Sequence, residues 1–344
     1  MTGRWTDPAW RDATLAWAVE RLEGLGHRVT GGITQPHRRP WSTVFRIPAD
    51  AGPFWCKASA PGPGYEGPLL DAFGDWGIRG AMLPVATDPG RALILFADGG
   101  PTMRATRPDG TGDRDLDAWA RILRGYAALQ RSTEARADDL LALGVPDGRP
   151  ERLAALLEGL GGDAALWDRA DEEDGAAAAE ARRRLPGLLP VVARMAGDLA
   201  ASGIPATIQH DDLHGGNVFV GRDGDRIFDW GDASVAHPFG TLTSTMNSIE
   251  YHAGLDQHGS ELIRLRDIYL EAWSDIAAPD VLAAAAERAR LLGAISRAAS
   301  WRRALVGLSP DEMDGHGGAP AAWLVELVDR LDRLGRVEPP PARA

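Results

Sequence analysis

The chain has 344 residues, 37 basic and 49 acidic, a formal charge of -12, and 44% hydrophobic against 25% charged side chains. That length exceeds what one compact core supports and favours two lobes, while the composition is that of an ordinary globular protein and excludes the disordered and fibrous classes. The acidic balance argues against nucleic acid and attracts cationic ligands, no apolar run reaches a membrane span, and nothing in the pattern separates a monomer from a homodimer. A single cysteine, Cys56, excludes an internal disulfide, and without a leader-like opening it points to a reducing cytoplasm.

The first predicted element is a helix over about 8–24. Asp7 is its N-cap and Pro8 its first residue, the apolar positions recur at helical spacing, and Gly24 and Gly26 stop it. From Val29 to Phe96 the signal changes to short strands, "STVFRI", "PFWCKAS" and "RALILFA", with one helical stretch, "PLLDAFGDW", between the second and third. After "DGGP" (98–101) helical periodicity takes over, first as the stripe Leu116, Trp119, Ile122, Leu123, Tyr126 and Leu129. Further helices are expected over 150–160, 186–202, 242–254, 260–276, 279–305 and 319–334, and strands around 206–209, 217–220 and 226–229. The expected class is α+β: a β-rich amino lobe over 1–98 with a leading helix, then a helical carboxyl lobe over 99–344. "DRADEEDG" (168–175) reads as a solvated loop, and the tail "RVEPPPARA" as loose.

The densest chemistry lies in "HDDLHGGNVFVGRDGDRIFDWGDAS", residues 210–234. Three readings compete. The aspartates can decorate a turn, which suits Asp223 and Asp225 in the connection "GRDGD". His210 and Asp211 can be the doublet of a metal-dependent phosphohydrolase, although no histidine pair at helical ligand spacing accompanies them. The third reading has oxygen ligands converging on magnesium-bound phosphates, and the spacing of Asp212, Asn217 and Asp229 meets its demands.

"HDDLHGGNVFV" resembles the catalytic loop of the aminoglycoside phosphotransferase and choline kinase family, usually H-G-D-x-H-x-x-N, and "IFDWGDAS" is similar to its metal-binding segment. The resemblance covers about residues 27–305 and implies the bilobal protein-kinase-like fold, with a small antiparallel sheet and one helix in the first lobe. It implies Asp212 as the catalytic aspartate, Asn217 and Asp229 as magnesium ligands, and His210 as a structural residue of the loop. His214 is left between loop support and the phosphate site, Asp232 between a supporting role and a cap, and Trp230 reads as a core anchor. Two departures stand out. Asp211 replaces the family's glycine, and "AHPFGTLTS" (236–244) lacks the aspartate that ties the loop to a helix, so another anchor is required.

A kinase needs a cation for the α- and β-phosphates. Lys57, within the apolar strand "FWCKAS", fits, with Glu66 as its partner and Cys56 as a small buried neighbour. The adenine is expected against the connector from Phe96 to Asp98. A Gly-rich phosphate loop is missing: "ITQPHRRPWS" offers Arg38 and Arg39 instead, either as phosphate-covering cations or as plain surface arginines.

The implied activity is ATP- and magnesium-dependent transfer of a γ-phosphate to the hydroxyl of a small molecule of antibiotic, amino-sugar or amino-alcohol type. Asn247, Glu250, Tyr251, His252, Trp273 and Trp301 are the candidate acceptor-lining residues. The rivals are a kinase-like protein acting on peptide Ser/Thr, which needs an open, extended cleft, and a silent nucleotide-binding module, which predicts loss of a key residue.

Overall fold

A computed structural model gives the protein's structure over residues 3–170, 175–256 and 258–337. The amino-terminal part comprises α1 (Pro8–Gly24), β1 (Thr34–Arg39), β2 (Ser42–Ala49), β3 (Gly52–Ser59), α2 (Glu66–Asp75), β4 (Ala86–Asp88) and β5 (Leu93–Ala97). Asp7 caps α1 as its sequence requires, accepting the Trp10 N–H at 2.7 Å. The strands form one antiparallel sheet in the order β1-β2-β3-β5-β4.

Side chains of a strand alternate between faces, and in this sheet the alternation positions the chemistry. Phe54, Cys56 and Ala58 of β3, with Leu93 and Leu95 of β5, pack with Trp17 and Leu22 of α1 in a small core. Lys57 and its register partner Ile94 therefore face the other way, towards α2 and the rest of the molecule. Burial pushes the Cys56 thiol up to about 12, in line with an inert apolar role.

Beyond Ala97 come α3 (Leu116–Arg131), α4 (Ala137–Ala142), β6 (Asp147–Gly148), α5 (Pro150–Gly162), α6 (Ala164–Trp167), α7 (Gly175–Ala200) and β7 (Thr207–Gln209). They are followed by β8 (Val218–Phe219), β9 (Arg226–Ile227), β10 (Ser234–Ala236), α8 (Leu242–Ala253), α9 (Ser260–Leu270), α10 (Pro279–Ala304) and α11 (Ala319–Val337). The strands make a small sheet β6-β10-β7 and the hairpin β8-β9. A large core joins these helices to Leu69, Leu70 and Phe73 of α2, and Phe73 meets Trp230 edge-on at 5.2 Å between centroids. Trp230 is thus the core anchor its position suggests.

Three local expectations need correction. "TQPHRR", absent from the expected strands, is the edge strand β1; it is almost wholly exposed and carries Pro36, so no alternation marks it. Helix α7 runs unbroken from Gly175 to Ala200 through Pro186 and Pro190, joining the helix-forming "AAAAEARRRL" (176–185) to the helix expected from 186, because Ala178, Ala181 and Leu185 are buried in the large core and outweigh the lost N–H donors. Asp225 does more than shape a turn, since it accepts Arg121 Nε at 2.8 Å. Residues 171–174 of the charged loop, and 338–344 of the tail, lie outside the described residues.

Candidate active site

Lys57 is the hub of the cleft. Its Nζ is 2.5 Å from Glu66 Oε2 and 2.5 Å from Asp229 Oδ1. Glu66, the first residue of α2, is almost fully buried, and its other oxygen accepts the Trp230 N–H at 3.0 Å. Burial works against the Lys57 charge, but Asp229 and Glu66 outweigh it and hold the ammonium above its ordinary range. Burial likewise pushes Glu66 up against the pull of Lys57, whereas for Asp229 the lysine prevails over burial and holds the carboxyl low. The sequence-matched lysine, glutamate and aspartate thus come together from β3, α2 and the turn after β9.

A cavity of about 400 Å³ lies on one side of this hub, lined by Val44, Trp55, Glu66, Phe96, Ala97 and Asp98 among others. The Asp98 carboxylate accepts Trp55 Nε1 at 2.9 Å. A second cavity, about 210 Å³, lies on the other side and includes Asp212, His214, Asp232, Arg39, Trp41, Trp301 and Arg303. Five residues line both: His37, Ser42, Lys57, Asn217 and Asp229.

The loop after β7 is fixed from several elements. His210 is buried, with Nε2 2.8 Å from the Phe228 carbonyl and Nδ1 accepting the Asp212 N–H at 3.3 Å. Burial is the main influence on this imidazole and lowers its pKa. Asn217 spends its Nδ2 on the Asp212 carbonyl (3.0 Å), and its Oδ1 accepts no hydrogen bond among the described residues. Asp211 and Asp229 both take φ of 63°, the left-handed region where a side chain is strained and glycine is favoured. A positive φ is the physical reason for a glycine at the position of Asp211.

Asp211 lines neither of the two cavities. Its carboxylate is buried and accepts Gln209 Nε2 and, at 2.5 Å, Ser234 Oγ. Burial raises it to about 6 despite these donors. The missing loop anchor is also found: Ser244 and Thr245 of α8 donate to the carbonyls of Asp211 (2.7 Å) and Leu213 (3.0 Å).

Sequence reasoning missed Arg297. This buried residue of α10 reaches Asp212 Oδ1 at 3.0 Å and Asp232 Oδ2 at 3.3 Å, and Ser300 one turn on donates to Asp232 Oδ1 at 2.5 Å. Burial opposes the guanidinium charge, but Asp212 and Asp232 outweigh it and hold it above its ordinary value. Asp232 is therefore an ion-pair partner and not a simple cap. His214 lies beside the same carboxylate, Nε2 3.7 Å from Asp212 Oδ2, with Nδ1 accepting the Gly216 N–H at 3.0 Å. An arginine in an Ala-rich helix reads as an ordinary helix former, so no local signal marked it.

The predicted acceptor wall is mostly corrected. Trp301 lines the smaller cavity. Trp273 is fully buried against Phe239 and Tyr269, Asn247 lies between Arg290 and Arg330, and Glu250 is 3.7 Å from Arg290. Tyr251 is exposed, and His252 Nε2 is 3.1 Å from Arg104. None of these α8 residues lines either cavity. In place of a Gly-rich loop, the β1-β2 hairpin covers the cleft. Strand alternation turns His37 and Arg39 inward, and Arg38 lines neither cavity.

A model of the phosphotransferase enzyme family matches residues 90–287, more than half of the chain, leaving out the segment with Lys57 and Glu66. Among solved structures, choline kinase from Cryptosporidium parvum Iowa II is similar with a TM-score of 0.59 at 13% identity, covering 94% of this chain and 97% of that one. An ethanolamine kinase of Plasmodium vivax gives 0.53 at 12% (86% and 81% covered), and a macrolide 2'-phosphotransferase of Brachybacterium faecium 0.51 at 15% (91% and 98%). No curated protein sequence matches the chain. The fold is the bilobal, protein-kinase-like α+β architecture.

Proposed function

The chain belongs to the phosphotransferase enzyme family, and from that premise we propose that it transfers the γ-phosphate of ATP, with magnesium, to a hydroxyl of a small molecule. The observation that carries this reading is the arrangement of the two cavities. Phe96, Asp98 and Glu66 line only the larger one, Asp212 only the smaller, and Lys57, Asn217 and Asp229 stand where they meet. A nucleotide in the first and an acceptor in the second bring the γ-phosphate and the hydroxyl to that boundary, with Asp212 on the acceptor's side.

Lys57, held by Glu66, supplies charge to the α- and β-phosphates. Asn217 Oδ1 and Asp229 are two hard oxygen donors facing one space, a set that suits magnesium, which takes few protein ligands and completes its shell with phosphate and water. When bound, magnesium neutralises phosphate charge as it develops. Asp212 accepts the hydrogen bond of the acceptor hydroxyl and takes its proton as the oxygen bonds to the γ-phosphorus and the bond from that phosphorus to the β,γ-bridging oxygen breaks, releasing ADP, while Arg297 holds the carboxylate in place. His37 and Ser42, from the hairpin that stands in for a Gly-rich loop, face the transferring group.

The amino lobe is drawn to Asp98, the end of the connector, with residues 99–344 as the second lobe. An ATP-fed reaction and one buried thiol favour the cytoplasm. A walled cavity of about 210 Å³ favours a small acceptor over an extended peptide, and Lys57, Asp212, Asn217 and Asp229 are all in place, contrary to a silent module. ADP release measured against amino-sugars, nucleoside antibiotics, amino alcohols and a peptide set tests the proposal. Asp212→Asn is expected to lower acceptor-dependent kcat by about 10²- to 10⁴-fold. Acceptor-dependent turnover that survives this substitution sinks the mechanism.

A further inference from the structure

The carboxylates on the acceptor side of the cleft are already engaged. The smaller cavity has three aspartates: Asp212 and Asp232 share Arg297, and Asp229 shares Lys57 with Glu66. An ammonium group there would compete with a buried arginine or with the lysine for these carboxylates.

The cations are not balanced in the same way. Arg39 and Arg303 line this cavity and not the nucleotide one, and among the described residues neither has an ion-pair partner. Arg303 donates to the Asp232 carbonyl at 3.4 Å, and its charge acts on the buried Asp211 carboxyl without an ion-pair contact. Between them stands an aromatic wall, with Trp41 edge-on to Trp301 at 5.1 Å and His316 stacked on Trp301 at 5.6 Å.

An aromatic wall alone would suit a cation over its face. Flanked by two arginines, it repels one, since like charges brought together out of water are costly. An anionic acceptor has the opposite problem, repulsion from the γ-phosphate, and two guanidiniums with carboxylate- and phosphate-matching geometry offset it.

Resting on the phosphotransferase reading, we propose that the acceptor carries an anionic oxygen group, carboxylate or phosphate, close to the hydroxyl it offers. Arg39 and Arg303 bind that group, and Trp41 and Trp301 pack the fragment between them. The amino-sugar and amino-alcohol classes are thereby disfavoured.

The test uses the full chain with Mg-ATP and matched acceptors: glycerate and a sugar phosphate, their uncharged counterparts glycerol and the parent sugar, and ethanolamine and an amino-sugar. At least one anionic member is expected to exceed its uncharged counterpart in kcat/KM by about tenfold. Arg39→Gln, on the exposed hairpin, and Arg303→Gln should each erase most of that margin by raising the acceptor KM far more than the ATP KM. Preference for the amino compounds, a margin that survives both substitutions, or Mg-ATP binding without turnover of any anionic member overturns the proposal. Failure to bind Mg-ATP at all counts instead against the phosphotransferase reading on which it rests.

Discussion

Asp211 combines three features that oppose one another: a positive φ, a buried carboxylate, and donors from two different strands. Its ordinary value of 3.8 applies to the unfolded chain, and burial raises it to about 6 in the fold. A carboxyl that binds its proton more tightly when folded favours folding fully below about pH 4, and that contribution is lost as pH rises through 6. Asn tolerates the same backbone and does not titrate, so Asp211→Asn should gain stability relative to the parent between pH 5 and pH 8, by roughly 1.4 kcal/mol. Thermal unfolding at both pH values checks this, and a pH-independent difference would count against the buried, proton-linked carboxyl. The presence of an extra carboxylate beside Asp212 is plain in "HDDLHGGN"; its direction is not, because Gln209 and Ser234 become neighbours only when β7 and β10 pair.

At the scale of elements, the loop bearing Asp212 hangs between two helices. From one side α8 supplies Ser244 and Thr245 to loop carbonyls; from the other α10 supplies Arg297 to the carboxylate and Ser300 to Asp232. Residues 297, 300 and 301 share one face of α10 by three- and four-residue spacing, so a single helix both holds the proposed base and walls the acceptor cavity. Ser244→Ala with Thr245→Ala should cost about 1 kcal/mol per lost hydroxyl and lower kcat more than it raises the KM for ATP, since the nucleotide side is untouched. Steady-state kinetics beside thermal unfolding separate the two effects; an unchanged kcat would mean the anchors are dispensable. That "AHPFGTLTS" needed another anchor was legible; that Ser244 and the following Thr245 supply it was not, and Arg297, some fifty residues on, had no pairing visible before the helices packed.

For the whole molecule, the strand and helix periodicities were legible wherever one face is buried, as in β3, β5 and α3, because burial imposes the pattern. They failed at the polar edge strand β1 and at the two prolines inside α7, which broke one helix into two expected stretches; there pairing and packing decide rather than the local sequence. The proposed residues were readable because two short motifs and one lysine carry them, whereas the acceptor wall is assembled from a hairpin and two distant segments. What unites the parts is the Lys57 hub at the junction of the two cavities. Calorimetric titration of Mg-ATP into the parent chain and Asp229→Asn addresses that hub directly. Saturable binding by the parent, weakened at least about tenfold by the substitution, is the predicted result; equal affinity of the two proteins, or no binding by the parent, would contradict it.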